Sequence, residues 1–276
     1  MRTVVLCSGV YSETACAMTV RVAQSGCAPV GAVALSTLDP ATLLRKLGQW
    51  GTRDVARYAA AKLYPQKTGK REYLRNPYLK PLLAHRDEVF RNLREIAREY
   101  GFPIVTCTDQ NAASSVAQLK EWSPDLIIFA GGNILRKQLL DVPSLGVINM
   151  HLGLLPEIRG MSSPEWSLLQ DVSVGVTVHY IDSGIDTGPI LRRCEFPNAS
   201  QCDSLADLRN RLIAFGIERV AEVVVALDRG SLAASPQSEL DRDSQFFVMH
   251  EWLQARAVER LKKNSHSSVA DGTSHG

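Results

Sequence analysis

The sequence SPDLIIFAGG, residues 123–132, gives the strongest strand prediction in the chain. Its middle is wholly apolar, with a proline before it and two glycines at its end. A strand that is buried on both faces, as in the centre of a parallel sheet, has this continuous apolar character. We therefore expect these residues to form a central strand of a parallel sheet.

The neighbouring segments extend this strand into an α/β fold. Apolar or alternating runs predict strands at 3–7, 29–36, 103–107, 146–151, 174–182 and 189–196. Helical spacing and helix-end residues predict helices at 12–24, 41–64, 87–101, 114–122, 134–141, 162–170, 204–230 and 246–263, with a loop at 65–81. This order predicts a Rossmann-like, mainly parallel sheet with helices on both faces. Because the first turn contains a single glycine, Gly9, the G-x-G-x-x-G fingerprint of dinucleotide binding is missing.

The composition is that of an ordinary globular protein, with 45% hydrophobic and 22% charged residues in a chain of 276. No window approaches the ~18 apolar residues of a membrane span, and the apolar run at 3–7 is too short for a signal peptide. We therefore expect a cytosolic protein without a membrane partner. Six cysteines without a C-x-x-C pair indicate neither a disulfide framework nor a zinc site, and no metal ligand is predicted.

The charge is distributed unevenly, although the net charge is only +2. Residues 41–100 contain fourteen Lys and Arg against six Asp and Glu, so this segment carries +8 and the remainder −6. Aromatic residues lie among these cations, including Trp50, Tyr58, Tyr64, Tyr73 and Tyr78. Such a basic segment is typical either of a solvated helix face or of a binding site for a phosphate-bearing ligand.

An Asn-x-His pair ends the predicted strand at 146–151, within VINMHLGLLPEIRG (147–160). Side chains two apart in a strand lie on the same face, so Asn149 and His151 would both reach the crevice beyond the strand end. A carboxylate could come from Asp182 or Asp186 in the turn YIDSGIDTGP. An amide donor, a base and a carboxylate suit acyl transfer between heteroatoms. The alternative is a hydrogen-bonded loop anchor beside an ordinary Asp-containing turn.

Three motifs, read together, resemble the catalytic core of the folate-dependent formyltransferases: PDLIIFAGGNIL, LGVINMHLGLLPEIRG and VGVTVHYIDSGIDTGPIL. This family contains methionyl-tRNA, glycinamide ribonucleotide and amino-sugar N-formyltransferases, and the resemblance spans roughly 103–230. It implies the formyltransferase fold and an enzyme that moves a formyl group from 10-formyltetrahydrofolate to an amine.

The resemblance also implies roles for individual residues. Asn149 and protonated His151 would stabilise the oxyanion, while Asp186, rather than Asp182, would support the charge on His151 and relay a proton. The pterin would lie in a pocket formed by Ile134 and Leu135 and by the backbone of Ile181, Asp182, Ser183 and Gly184.

Two more residues of these motifs have a functional and a structural interpretation. His179 fits the family pattern, but a hydrogen-bonded histidine beneath the site is the favoured interpretation. Arg159 would contact either an anionic part of a substrate or a neighbouring carboxylate.

The predicted domain organisation departs from that of these relatives. Residues 1–230 form the catalytic domain with a basic helical insertion at about 41–100, followed by a helical extension at 231–263 and a disordered tail at 264–276. The tRNA enzyme carries a large carboxy-terminal barrel that helps to hold tRNA, whereas only a helical extension and a tail are predicted after residue 230 here. We therefore do not expect tRNA as the acceptor.

We expect a small-molecule amine as the acceptor and favour an anionic one, so a nucleotide-linked amino sugar comes before a hydroxyornithine-like metabolite. The alternatives are a formyltetrahydrofolate hydrolase, which would use the same three residues, and a non-catalytic folate- or RNA-binding protein.

Overall fold

The computed structural model describes residues 1–36, 76–85, 88–237 and 244–270. A seven-stranded sheet is central to the fold, with strand order β10-β9-β7-β6-β1-β2-β5. The strands are β1 (Thr3–Cys7), β2 (Gly31–Leu35), β3 (Ala84–His85), β4 (Glu88–Val89), β5 (Ile104–Cys107), β6 (Leu126–Ala130), β7 (Gly146–His151), β8 (Arg159–Gly160), β9 (Gly175–Tyr180), β10 (Ile190–Glu195) and β11 (Gln245–Phe246). The short strands pair as β3 with β4 and β8 with β11.

The central sheet is mainly parallel, as predicted. Strands β5, β2, β1, β6 and β7 run parallel, whereas β9 is antiparallel to both β7 and β10. Strand β6 lies between β1 and β7, and Leu126, Ile127 and Ile128 are almost fully buried. The register places Asn149 of β7 opposite Phe129 of β6 on one side and opposite His179 of β9 on the other.

Helices cover both faces of this sheet. They are α1 (Glu13–Gln24), α2 (Lys80–Leu83), α3 (Leu93–Tyr100), α4 (Ala113–Trp122), α5 (Lys137–Leu140), α6 (Ser163–Leu169), α7 (Leu205–Asp228) and α8 (Glu251–Ala270). Val5 and Cys7 of β1 join an apolar cluster with α1, α3 and α7. Val4 and Leu6 join a second cluster with α4 and α5, because successive side chains of a strand point to opposite faces. In the described part of the chain, no helix has the length and apolar content of a membrane span.

Several element boundaries differ from those predicted. Helix α3 begins at Leu93 instead of 87, because the Asn92 side chain caps it by accepting hydrogen bonds from two backbone N–H groups. Helix α8 begins and ends later than the predicted 246–263 and includes residues 264–270 of the predicted tail. The loop predicted at 65–81 ends in a 3₁₀ turn and α2. The predicted helix at 41–64 lies outside the described residues, as does most of the basic insertion.

Candidate active site

The three predicted catalytic side chains meet beyond the end of β7. His151 Nδ1 lies 3.4 Å from Asp186 Oδ2, and Asn149 joins this pair through His179 of the neighbouring strand. His151 and His179 are nearly buried, with 6% and 1% of their surface exposed. The structure thus brings Asn149, His151 and Asp186 into one polar cluster at the end of β7. Parallel α/β sheets bind their ligands at this edge.

His151 has an oxygen atom opposite each of its ring nitrogens. Nε2 lies 2.7 Å from the carbonyl oxygen of Ile158, which can only accept, so Nε2 carries a proton. Nδ1 faces the carboxylate of Asp186. This geometry accommodates the protonated imidazole, because that form donates from both nitrogens. Protonated His151 would therefore be a cationic donor held between a loop carbonyl and a carboxylate.

His179 fixes the orientation of the Asn149 amide. Its Nδ1 lies 2.8 Å from the carbonyl oxygen of Tyr180 and must donate to it. The pKa of His179 is lowered mainly by burial, against an opposing effect of the Asp186 carboxylate, so the neutral ring is favoured. The unprotonated Nε2 then accepts from Asn149 Nδ2 at 3.2 Å. One amide proton of Asn149 is used in this way, which leaves the second for a ligand.

The two aspartates of the turn after β9 have different environments. Asp186 Oδ2 accepts from the backbone N–H of Gly160 at 2.8 Å, and Oδ1 lies 3.6 Å from His179 Nε2. Asp182 is exposed, and its Oδ1 accepts from Gly184 N and from the Thr187 hydroxyl at 3.0 and 2.6 Å. Asp186 therefore faces the histidines, while Asp182 closes the turn with Ser183 and Gly184 at its exposed tip.

The two halves of the predicted pterin pocket lie against one apolar cluster. Leu135 is buried in this cluster, and Ile181 packs against it. Ile134 is 86% exposed, so the two neighbouring side chains have opposite environments. A ligand at this loop would meet the Ile134 side chain and the backbone of Leu135, because the Leu135 side chain belongs to the core.

Two polar residues that the sequence interpretation missed hold this loop in place. Asn111 donates to the carbonyl oxygen of Ile134 at 3.0 Å and accepts from the N–H of Arg136 at 2.7 Å. Gln110 accepts from the N–H of Asn133 at 3.0 Å, and a Cβ on Gly132 would collide with its side chain. The signal was the polar run Asp109, Gln110 and Asn111, which begins two residues after the strand predicted at 103–107 and lies at the same edge of the sheet.

The loop after β7 is held by contacts that no local pattern predicts. The Leu155 N–H donates to the hydroxyl of Thr177, which in turn donates to the carbonyl oxygen of Gly153. The peptide bond before Pro156 is cis. Arg159 is 5% exposed, and its Nε donates to the Ser244 hydroxyl at 3.0 Å. Arg159 is therefore part of the contact between this loop and the β11 segment.

The cluster combines groups that can act on a carbonyl compound. The amide of Asn149 and a protonated His151 are donors that can stabilise negative charge on an oxygen atom. Asp186 is a carboxylate within reach of the imidazole and can take up or deliver a proton. Within the described ranges, no group of His, Cys, Asp and Glu side chains could hold a metal ion.

Comparisons with known proteins identify the family to which the chain belongs. The formyl transferase family model matches residues 64–224. The methionyl-tRNA formyltransferase of Pelobacter propionicus is 32% identical over 149 residues, which cover 53% of this chain and 46% of that protein. The same enzyme of Geobacillus thermodenitrificans is 34% identical over 162 residues, covering 58% and 50%. The chain thus spans about half the length of these relatives.

Solved structures share the fold at low sequence identity. Glycinamide ribonucleotide transformylase 1 from Symbiobacterium toebii has a TM-score of 0.55 at 16% identity, covering 86% of this chain and 95% of that one. A sugar N-formyltransferase from Shewanella sp. has a TM-score of 0.53 at 14% identity, covering 95% and 88%. Because the family model matches more than half of the 276 residues, the chain belongs to the formyl transferase family.

Proposed function

We propose that this protein transfers a formyl group from 10-formyltetrahydrofolate to the amine of a small, anionic acceptor. The convergence of Asn149, His151 and Asp186 at the end of β7 is the observation that carries this proposal. The cluster contains two kinds of hydrogen-bond donor for an oxyanion and a carboxylate for proton transfer, the requirements of this reaction.

In the proposed reaction, the acceptor nitrogen bonds to the formyl carbon and the bond between that carbon and N10 of the donor breaks. The free amide proton of Asn149 and the Nδ1 proton of His151 stabilise the negative charge that develops on the formyl oxygen. The Nδ1–Oδ2 separation of 3.4 Å is longer than an ordinary hydrogen bond, so an approaching oxygen can share that proton.

Asp186 has two roles in this reaction. Its carboxylate supports the positive charge of His151, and it relays the proton that leaves the acceptor nitrogen to N10. Proton transfer by a positioned side chain typically contributes about 10²–10⁴-fold to the rate. The backbone N–H of Gly160 keeps the carboxylate in place for both roles.

The loop at 131–136 and the turn at 181–184 are the proposed binding site of the pterin. Support comes from the exposed Ile134 and from the shared apolar cluster under Leu135 and Ile181. Backbone groups of the same two segments would supply the polar contacts of the ring. Asn111 and Gln110 act indirectly, because their hydrogen bonds fix the shape of the loop.

The proposal of an anionic acceptor is supported by the +8 charge of residues 41–100 and by the aromatic residues among these cations. Tyr78, within the described residues, donates to Asp207 at 2.6 Å and lies under the Arg211 guanidinium, so it is already engaged within the fold. The proposal of an anionic acceptor therefore rests on the other residues of the basic segment at 41–100. A nucleotide-linked amino sugar leads the list, followed by a hydroxyornithine-like metabolite.

The test is incubation with 10-formyltetrahydrofolate and a panel of amines, with a control that lacks any amine. The panel contains a nucleotide-linked amino sugar, hydroxyornithine, glycinamide ribonucleotide and methionyl-tRNA. We expect formylation of a small anionic amine and release of tetrahydrofolate that depends on it. Equal release without an amine would identify a hydrolase, formylation of tRNA alone would overturn the proposed acceptor, and no release would refute formyl transfer.

A further inference from the structure

The segment that follows α7 returns to the edge of the central sheet and passes the Asp186 turn. Ser235 forms an antiparallel bridge with Ile190 of β10, in which each N–H donates to the carbonyl oxygen of the other residue at 2.8 Å. This bridge fixes the backbone two residues before Gln237. The Gln237 side chain is therefore presented to the turn from an anchored position.

The amide of Gln237 bonds to the backbone on both sides of Thr187. Its Nε2 lies 2.9 Å from the carbonyl oxygen of Asp186 and 2.7 Å from that of Gly188. An amide nitrogen has two protons, so both are used on this one turn. The Oε1 atom of the same side chain is buried and has no hydrogen-bond partner among the described residues. A buried oxygen without a partner costs free energy, and an apolar side chain would avoid that cost. The amide therefore contributes to this turn through its two donated hydrogen bonds.

Asp186 needs such support because of its backbone conformation. Its φ is +55°, in the left-handed region that residues with a Cβ rarely adopt. A residue in this region keeps its conformation only where the surroundings impose it. Gln237 holds the backbone of the turn on one side, while the N–H of Gly160 holds the carboxylate on the other.

We infer that Gln237 is a positioning residue that sets the place of the Asp186 carboxylate opposite His151. The inference rests on the proposed function for the role of Asp186 in catalysis. Without the two amide bonds, the turn between β9 and β10 can relax from the left-handed conformation and move the carboxylate. A misplacement of 1 Å can cost about 10²-fold in rate.

The first test is a double-mutant cycle of Gln237→Ala and Asp186→Ala, measured as turnover at saturating substrates. We expect Gln237→Ala to lower kcat by about tenfold or more, with little change in either KM, and to add nothing in the Asp186→Ala background. Gln237→Glu keeps the size but loses the donors, so it should behave as alanine does. The matched control is Ser235→Ala, which keeps the backbone bridge and should retain wild-type turnover.

The second test does not depend on activity, so it separates this inference from the proposed function. Amide hydrogen exchange at Gly160 reports whether the Asp186 carboxylate is still in place, because Gly160 N–H donates to it. We expect faster exchange at Gly160 in both Gln237→Ala and Asp186→Ala, with unchanged exchange in β6. Wild-type exchange and kcat in Gln237→Ala would overturn the inference, as would an equal loss of kcat with and without Asp186. A wild-type protein that transfers no formyl group would refute the proposed function alone, and the exchange at Gly160 would still decide the positioning role.

Discussion

His179 Nε2 lies between the amide of Asn149 and the carboxylate of Asp186, and its protonation state decides which of the two it can bond to. Neutral Nε2 accepts from Asn149, whereas a protonated Nε2 would place two donors against each other. The sequence favoured a structural histidine beneath the site. Its burial agrees with that interpretation, but its two contacts make it part of the polar cluster.

The lowered pKa of His179 predicts a dependence of stability on pH. The unfolded chain takes up a proton near the ordinary pKa of about 6.5, while the folded chain takes it up only at lower pH. The contribution of His179 to stability is therefore complete above about pH 6.5 and decreases as the pH falls toward the lowered folded pKa. The midpoint of thermal unfolding, measured from pH 8 to pH 5, should fall less steeply in His179→Gln than in the wild type.

The control is the wild type measured over the same pH range. An unchanged slope in His179→Gln would show that its proton uptake does not differ between the folded and unfolded states.

The spacing of single residues predicted part of the site. Asn149 and His151 follow from their positions two apart at a strand end, but spacing alone could not choose between Asp182 and Asp186. The choice depends on which carboxylate lies near the histidines of β7 and β9. Asp186 lies 3.4 Å from His151 and 3.6 Å from His179. Gln110, Asn111 and Gln237 were missed because each bonds to the backbone of a distant segment. A polar residue in a loop gives no local sign of such a partner.

The central strands are the elements that the sequence predicted best. Strands β1 and β7 have the predicted limits, because an apolar run bounded by polar residues or glycine marks both ends of a buried strand. Strands β8 and β11 were not predicted, since two residues are too few for a periodic pattern. The start of α6 also differs from the prediction, in which the helix begins at residue 162. Ser162 has φ +53° and its hydroxyl accepts from Met249 N instead of capping α6.

The pairing of β8 with β11 predicts the effect of one glycine substitution. Gly160 has φ +91°, and a Cβ at this position would collide with the carbonyl oxygen of Phe246. Gly160→Ala should therefore lower the free energy of unfolding by more than the roughly 1–2 kcal/mol of a left-handed alanine. It should also lower kcat, because the N–H of Gly160 holds Asp186. Chemical denaturation and steady-state kinetics measure the two effects.

Gly230→Ala provides the comparison at the end of α7. Gly230 has φ +65°, and apart from its chain neighbours no heavy atom of the described residues would lie within 4 Å of an added Cβ, so only the backbone strain remains. This variant should lower the free energy of unfolding by about 1–2 kcal/mol and leave kcat unchanged. Equal losses of stability in the two variants would mean that β11 can move away from Gly160 at no cost.

At the scale of the whole molecule, the sheet order places the site beside the antiparallel pair β7 and β9. The sequence predicted a mainly parallel sheet from the alternation of elements, which the structure confirms. It did not predict the antiparallel direction of β9, because alternation of apolar residues is the same in both directions. This direction determines that His179 lies opposite Asn149.

The uneven charge of the chain predicts how acceptor binding responds to salt. If residues 41–100 bind an anionic amine, added salt should weaken that binding as the Debye length falls from ~10 Å at 0.1 M toward ~3 Å at 1 M. The KM of the acceptor should rise steeply with ionic strength, and that of the donor should change less. Steady-state kinetics over a salt series measure both constants.

Charge reversal separates this effect from a general effect of salt. Arg53→Glu combined with Arg57→Glu should raise the KM of the acceptor at low salt to its high-salt value, whereas Lys262→Glu near the carboxyl end should not. An acceptor KM that responds to neither salt nor these substitutions would assign the basic segment to a solvated surface. A hydroxyornithine-like amine would then become the leading acceptor.

The most direct test of the central claim compares Asp186→Asn with Asp182→Asn in formyl transfer from 10-formyltetrahydrofolate. Both changes remove one negative charge from the same turn, but only Asp186 faces His151 and His179. We predict that Asp186→Asn lowers kcat by about 10²-fold or more, and that Asp182→Asn has a much milder effect. A dispensable Asp186 together with an essential Asp182 would contradict the assignment of the catalytic carboxylate.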